Sequence, residues 1–134
     1  MRVVLCNGVF DLLHVGHKRH LEEARAMGDM LVVGLTGDAF TGKPYAPVIP
    51  QDQRKEMLES LRCVDAVMIC SDSLEALDYW EPEIFCKGYD RLIIGLLPEE
   101  KEYCFKHGIE VRYTKKTDIH TSQIIRRIRE CVSS

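Results

Sequence analysis

Two histidines near the start of the chain follow a short apolar run and a glycine-containing turn. The run Val3–Cys6 leads into Asn7-Gly8-Val9-Phe10-Asp11-Leu12-Leu13-His14-Val15-Gly16-His17 and then into a segment with helical spacing. A parallel sheet presents its ligand site at such a strand-to-helix turn. The unpaired N–H groups and the dipole of a helix N-terminus favour anions, and two imidazoles add hydrogen-bond donors for phosphate oxygens. Gly8 would allow a tight turn, and Gly16 a close approach of ligand to backbone.

A lysine stands in the longest connection of the chain, between Thr36 and Pro50. This segment contains several glycines and prolines and few apolar residues. Connections of this length in a compact domain are usually functional or mobile. Lys43 lies between Gly42 and Pro44, which suits a lid that carries an ammonium group over a ligand. An ordinary surface lysine is the alternative.

Polar residues also follow the fourth apolar run and precede the last helical segment. Lys87, Gly88 and Asp90 can present backbone groups and a carboxylate to a base or a sugar, although a plain tight turn is the alternative. Thr121 and Ser122 offer hydroxyl and N–H groups as a second anion site of the cap type, or serve only as ordinary N-capping residues.

The elements that must position these residues alternate between strand and helix. Segments with helical spacing separate five apolar runs of strand length, at Val3–Cys6, Met30–Leu35, Ala66–Cys70, Ile84–Lys87 and Glu110–Tyr113. This alternation predicts right-handed crossovers and an α/β fold, with a five-stranded parallel sheet and helices on both faces. Residues 1–134 are expected to form a single domain.

Three helices are predicted in particular. The first runs from about Gly16 to Met27, turns Leu21, Ala24 and Ala26 or Met27 toward the sheet, and stops at Gly28. The second begins near Pro50 and contains Arg54. The last runs from Thr121 to about Val132, with an apolar stripe of Ile124, Ile125 and Ile128.

Composition restricts the partners of the protein. The 134 residues carry a net charge of −3 with a pI near 5.9, which argues against a general nucleic-acid binder. The six cysteines form no Cys-x-x-Cys, so we expect reduced thiols in a cytoplasmic protein and no resident metal site. No run approaches a secretory signal or a membrane span. His20 and His107 are interpreted as surface residues, and Tyr79, Trp80 and Phe85 as core and rim packing.

The phrase Gly-x-Phe-Asp-x-x-His-x-Gly-His, from Gly8 to His17, resembles the signature of the cytidylyltransferase-like branch of the nucleotidyltransferase superfamily. The resemblance implies a Rossmann-like fold, an NTP bound with Mg²⁺, a small phosphorylated acceptor, release of pyrophosphate, and a homodimer. It implies that His14 and His17 bind the triphosphate and that Lys43 closes over its β- and γ-phosphates. Asp11 is expected to fix the turn or to orient a histidine.

Later motifs extend the resemblance. Lys87-Gly88-Tyr89-Asp90 resembles the Lys-Gly-x-Asp element of heptose-1-phosphate adenylyltransferases, and its last three residues resemble archaeal FAD synthetases equally. Ile119-His120-Thr121-Ser122 is similar to an Ile-Ser-Thr-Thr motif that contacts nucleotide phosphates, with His120 as a departure. Arg54 matches a family arginine or is a structural ion-pair partner, and Lys115 is a supporting cation. The implied nucleotide-binding residues are Asn7, Gly8, Val9, Phe10, Gly16, Lys87, Gly88, Asp90, Thr121 and Ser122.

The motifs favour ATP and a sugar phosphate as substrates, with CTP as an alternative. Val9, and the run Lys115-Lys116-Thr117-Asp118, depart from glycerol-3-phosphate cytidylyltransferases, although the small single domain also suits that group. Adenylyl transfer to pantetheine phosphate or nicotinamide mononucleotide fits the later motifs less well. A nucleotide-binding regulatory module with degenerate chemistry is the alternative from another class, because of His120 and the altered run before it.

Overall fold

A parallel sheet of five strands forms the centre of the computed structural model, which describes residues 1–42 and 47–133. The strands are β1 Val3–Gly8, β2 Met30–Thr36, β3 Ala66–Cys70, β4 Ile84–Lys87 and β5 Glu110–Tyr113. Their order in the sheet is β3-β2-β1-β4-β5. All five predicted strands are confirmed, and β1 and β2 continue two residues and one residue beyond the apolar runs.

Helices connect the strands. They are α1 Val15–Arg25, α2 Gln51–Glu59, α3 Ser73–Trp80, α4 Tyr89–Ile94, α5 Pro98–His107 and α6 Thr121–Ser133. A short 3₁₀ turn, Asp38–Phe40, lies within the long connection after β2. Local signals set several boundaries. The Asp72 carboxylate accepts from the Glu75 N–H at the start of α3, and Gly108 ends α5 in the left-handed conformation.

Helices cover both faces of the sheet, as predicted. On one face α1 and α2 pack Leu21, Ala24 and Leu58 against the sheet, and these side chains are fully buried. On the other face α3 and α5 contribute Leu77 and Cys104 to a second cluster. Strands buried on both faces are apolar along their whole length, which explains the continuous runs in the sequence.

The strand order places the ligand crevice at the end of β1. The chain passes from β1 to β2 on one side, and β4 then returns to the opposite side of β1. Parallel sheets open a crevice where the order reverses in this way, at the carboxyl ends of the strands. The residues that follow β1 and β4 therefore share one edge of the sheet.

The end of α1 differs from its prediction. The helix stops at Arg25, Ala26 is exposed, and Gly28 is not in the left-handed conformation of a stop signal. A Cβ atom on Gly28 would lie 2.7 Å from the Arg2 carbonyl oxygen, so this glycine is required for close packing against the chain before β1.

Helix α6 packs loosely in the described chain. Its predicted apolar stripe is present, but Ile124 and Ile125 are only half-buried and Ile128 is exposed. Among the described residues, no helix is both long and apolar enough to cross a membrane.

Candidate active site

His14 and His17 form a stacked pair at the N-terminus of α1. Nδ1 of His14 accepts from the Gly16 N–H at 3.1 Å, and Nδ1 of His17 accepts from the His14 N–H at 3.3 Å. The two ring centroids lie 3.8 Å apart with an interplanar angle of 22°. The histidines thus cap the helix reciprocally, in the manner of a capping box, and their orientation is set by backbone donors.

The cap hydrogen bonds also assign the tautomers. Because each Nδ1 accepts a backbone N–H, the proton of each neutral imidazole lies on Nε2. Nε2 of His14 lies 3.2 Å from the Thr121 hydroxyl oxygen, and that hydroxyl donates to the Asp11 carbonyl at 3.3 Å. The first turn and the last helix are therefore joined through His14, and each histidine presents a donor at Nε2.

Both histidines are held in the neutral form. Burial, and then the neighbouring His14 and His20, lower the pKa of His17 to about 4, against partial opposition from Asp11. Burial, and then the neighbouring His120, lower the pKa of His14. At neutral pH both imidazoles are uncharged, so the free protein does not hold two adjacent cations. Each ring keeps one N–H donor beside the positive end of the helix dipole, and this arrangement can bind an anion.

The turn between β1 and α1 is made by left-handed residues other than glycine. Phe10 and Leu12 have φ values of 49° and 51°, whereas Gly8 ends β1, so the turn that Gly8 is expected to allow is formed by these two residues. A Cβ on Gly8 would lie 3.0 Å from the buried Phe10 ring, which gives this glycine a packing role. Strain at non-glycine positions of this kind concentrates at functional sites.

Asp11 fixes the turn to the long connection. Its carboxylate accepts from the N–H groups of Leu12, Val48 and Ile49 at 2.8–3.0 Å. This confirms that Asp11 holds the turn, and the carboxylate faces backbone donors rather than an imidazole in the described hydrogen bonds. Lys43, the predicted lid lysine, lies outside the described residues.

Arg54 is the structural ion-pair partner that the sequence left as one alternative. It is 2% exposed and donates to the carbonyls of Ile49, Val9 and Thr36 at 2.6–3.0 Å. Its remaining nitrogen donates to the Asp38 carboxylate at 2.6 Å. Desolvation raises the pKa of Asp38, but the hydrogen bonds from Arg54 and Gln51 outweigh this effect and hold the pKa below its usual range. Arg54 therefore joins three segments behind the site.

A cleft of about 920 Å³ opens beside the histidine pair. Three segments line it: the first two turns of α1, the start of α4, and the strand-to-helix connection before α6. Among its lining residues are His14, Gly16, His17, His20, Gly88, Asp90, Lys115 and Thr121. Gly16 lies against the His14 ring and donates its N–H to Nδ1 of that ring. This glycine therefore has a packing role besides the close approach to a ligand that the sequence predicts.

Predicted site residues also occur outside the main cleft. Val9 and Phe10 line a smaller cavity of about 250 Å³ on the other side of His17. The Asn7 side-chain oxygen accepts from the Cys70 thiol at 3.4 Å, and Ser122 is exposed on the first turn of α6. The predicted set is thus distributed around the histidine pair rather than gathered in one pocket.

Lys87 has a buried partner. Its ammonium lies 3.3 Å from the Glu100 carboxylate, where the two side chains are 11% and 3% exposed. It also stands 4.9 Å from the Phe85 ring centroid. The Lys87 ammonium is therefore held in an ion pair that joins β4 to α5, and it must share this partner or leave it to contact a nucleotide as predicted.

His20 was missed by the sequence interpretation. The prediction of a surface residue is wrong, because His20 is half-buried, lines the cleft, and places Nδ1 2.7 Å from the Thr114 hydroxyl. His14, His17 and His20 recur at intervals of three on one helix, a spacing that predicts a shared face. His107, in contrast, is exposed on α5, as expected.

Known proteins share sequence and fold with this chain. A family model described as cytidylyltransferase-like matches residues 5–127. The bifunctional protein HldE of Syntrophotalea carbinolica is 43% identical over 93 residues, which are 66% of this chain and 19% of that protein. The protein of the same name from Pelobacter propionicus is 36% identical over 135 residues, which cover 96% of this chain and 27% of the relative. The chain spans about a fifth to a quarter of these relatives.

A solved structure has the same fold. The lipopolysaccharide core biosynthesis protein from Thermoplasma volcanium is 30% identical, with a TM-score of 0.74. The similarity covers 88% of this chain and 99% of that one. The five-stranded parallel sheet and its helices therefore have a counterpart of nearly the same extent.

Proposed function

The chain belongs to the cytidylyltransferase-like family of nucleotidyltransferases, and we propose that it transfers a nucleoside monophosphate from an NTP to a small phosphorylated acceptor. The proposed NTP is ATP in preference to CTP, and the acceptor is a sugar phosphate. The observation that carries this proposal is the stacked His14 and His17 pair at the N-terminus of α1, with the His14 Nε2–H directed to the Thr121 hydroxyl and the His17 Nε2–H as the second donor. This arrangement suits a triphosphate, whose charge grows on the bridging oxygen during transfer.

The reaction needs positioning and charge stabilisation more than covalent chemistry. A phosphate oxygen of the acceptor attacks the α-phosphorus in line, the bond to the α–β bridging oxygen breaks, and pyrophosphate leaves with that electron pair. The attacking group is already an anion, so no general base is required. His17 donates from Nε2 to the phosphate oxygens, His14 shares its Nε2–H between those oxygens and the Thr121 hydroxyl that orients it, and Lys43 is proposed to cover the β- and γ-phosphates.

Magnesium enters as the NTP complex. The nearest carboxylate on the first turn, Asp11, already accepts three backbone N–H groups. This arrangement supports an ion held mainly by the triphosphate, where it neutralises charge on the leaving pyrophosphate.

The preference for ATP and a sugar phosphate rests on the Lys87-Gly88-Tyr89-Asp90 resemblance and on the named relatives. The matches to bifunctional protein HldE and to a lipopolysaccharide core biosynthesis protein support an acceptor from sugar chemistry. Asp90 and the backbone of Gly88 line the cleft, where they can bind sugar hydroxyls. Glycerol 3-phosphate with CTP is the second candidate pair.

The test is a pyrophosphate-release assay with Mg²⁺ that crosses ATP, CTP, GTP and UTP against sugar 1-phosphates, glycerol 3-phosphate and FMN. We expect turnover with ATP and a sugar phosphate. We also expect His14→Ala and His17→Ala each to lower it by about 10²-fold. His107→Ala, an exposed histidine on α5, is the matched control. Folded protein that binds NTP but releases no pyrophosphate with any acceptor would overturn the enzymatic proposal in favour of a binding module.

The proposal includes a homodimer. Exposed apolar side chains on α4 and α6 support it, since Ile93, Ile94 and Val132 are 73–81% exposed. Analytical ultracentrifugation should give twice the chain mass of 15.4 kDa. A single monomeric species at all concentrations would contradict the dimer.

A further inference from the structure

Two buried thiols and an imidazole meet beneath the cleft. Cys6 on β1 and Cys86 on β4 are register partners in adjacent strands, and both belong to the core cluster covered by α1. His20 reaches the same point from α1. The sulfur atoms and one ring nitrogen of these three residues all lie within 4.8 Å of one another. Cys6 and Cys86 are 0% and 1% exposed.

The His20 ring is held by a hydrogen bond at one of its two nitrogens. Nδ1 lies 2.7 Å from the Thr114 hydroxyl, which fixes the ring and leaves Nε2 for another partner. Histidines that bind metals usually hold their second nitrogen in such a hydrogen bond. His20 also lines the cleft, so the cluster has a route to solvent that the buried thiols alone lack.

We propose that Cys6, His20 and Cys86 bind one zinc ion at the floor of the cleft. Thiolate and imidazole ligands favour Zn²⁺ over Mg²⁺, which takes oxygen ligands, so the ion is distinct from the one that accompanies an NTP. Zinc–sulfur bonds of about 2.3 Å put two tetrahedral ligands about 3.8 Å apart, so the cluster contracts by about 1 Å at most. Three protein ligands leave a fourth position for water from the cleft.

The charges of the proposed zinc complex sum to zero, which suits a site in an apolar cluster. Two thiolates neutralise Zn²⁺, and the neutral complex can be buried in an apolar cluster at lower cost than a lone ion. The two thiol protons pass to solvent as the ion binds, because thiolates are the ligands. This inference departs from the expectation that the cysteines serve only as apolar side chains.

The experiment is a titration of the full chain, reduced and freed of metal, with Cd²⁺ and Co²⁺ as spectroscopic probes and Zn²⁺ as competitor. We expect one equivalent of Cd²⁺ to produce a thiolate charge-transfer band in the ultraviolet. Co²⁺ should give visible bands typical of tetrahedral thiolate coordination, and Zn²⁺ should remove these bands by displacing Co²⁺. No nucleotide or acceptor is present, so the outcome is independent of the proposed enzymatic function.

Three variants identify the ligands. Cys86→Ser should abolish the band, and His20→Gln should weaken Cd²⁺ binding by about tenfold or more. Cys104→Ser removes a buried thiol on the opposite face of the sheet and should bind like the parent chain. His20 borders the cleft, so His20→Gln keeps the proposal testable if Cys86→Ser does not fold.

Thermal unfolding gives a second readout. Zinc should raise the Tm of the parent and of Cys104→Ser, because an ion bound only by the folded chain stabilises it, and should raise the Tm of His20→Gln by less. Absence of a charge-transfer band in parent protein with reduced thiols would overturn the proposal. An equal band in Cys86→Ser and the parent would do so as well.

Discussion

Nε2 of His14 and the hydroxyl of Thr121 lie 3.2 Å apart although 107 residues separate them in the chain. The contact joins the first turn of the fold to the start of its last helix. Since Nδ1 of His14 is already occupied by a backbone N–H, the Thr121 hydroxyl determines where the remaining donor points. The orientation of this imidazole is therefore a property of both ends of the chain.

Replacement of Thr121 by valine should reduce turnover with little change in stability. The variant keeps the side-chain shape but removes the partner of His14 Nε2, and the loss of one such hydrogen bond corresponds to about tenfold in kcat/KM. Thr121→Ser retains the hydroxyl and should remain close to the parent. Ser60→Ala, which removes a hydroxyl bonded only locally to Met57, is the control. Equal pyrophosphate release by Thr121→Val and the parent would contradict the positioning role.

The pKa of His17 predicts a loss of stability below neutral pH. The folded-state pKa of about 4 lies below the unfolded value of 6.5, so the unfolded chain binds more protons between these two values. Stability from the neutral imidazole is fully present above pH 6.5 and decreases as the pH falls toward 4. The upper limit of this decrease is about 3 kcal/mol.

Two measurements test this prediction. Urea unfolding of the parent should give a lower free energy of unfolding at pH 5 than at pH 7.5, and His17→Asn should show a smaller difference. In NMR titrations the His17 ring signal should have its midpoint near pH 4. A midpoint near 6.5 is incompatible with the buried, neutral histidine described above.

Arg54→Met should destabilise the fold strongly. The substitution leaves three carbonyl groups and the partly exposed Asp38 carboxylate without this donor, and unsatisfied groups of this kind cost about 1–3 kcal/mol each, so a loss of about 3 kcal/mol is expected. Lys55→Met is a matched control on the same helix, since Lys55 makes an exposed ion pair with Glu59, and should change stability by about 0.5 kcal/mol or less. Chemical denaturation of the three proteins measures the difference. Similar values for both variants would show that Arg54 is dispensable to the fold.

Gly16→Ala should separate activity from stability. An added Cβ would lie 2.9 Å from Cε1 of His14 and 3.0 Å from the Ile119 carbonyl oxygen, so the His14 ring must move. Alanine is a better helix former than glycine by about 1 kcal/mol, which offsets part of the packing cost. We expect turnover to fall by about tenfold or more, with a change in Tm of only a few degrees. Val15→Ala, at an exposed position in the same turn, is the control, and equal turnover in the two variants would exclude the steric effect.

Local patterns were sufficient for the strands and for the histidine motif. The bounds of β3 and β4 follow from apolar runs, because strands covered by helices on both faces favour apolar residues, whereas the short edge strand β5 alternates polar and apolar residues. His14 and His17 were found because a strand, a turn and a helix start succeed one another within a short segment.

Other assignments failed because long-range contacts decided them. Gly28 was interpreted as a helix stop, whereas its role is to let the chain pass close to Arg2. Arg54 had two possible roles until its four acceptors were brought together from separate segments. His20 was assigned to the surface because the periodic spacing of the three histidines says nothing about which side of α1 the cleft occupies.

The sequence by itself determined the class of fold, and it predicted the sheet edge of the candidate site and the histidine pair at the start of α1. These features depend on residue type and on spacing over a few residues, both of which can be recognised without the tertiary structure. Only the tertiary structure decided that Thr121 orients His14, that Lys87 is paired with Glu100, and that Cys6, His20 and Cys86 converge. Such contacts depend on strand order and helix docking, which arise when distant segments bury their apolar faces together.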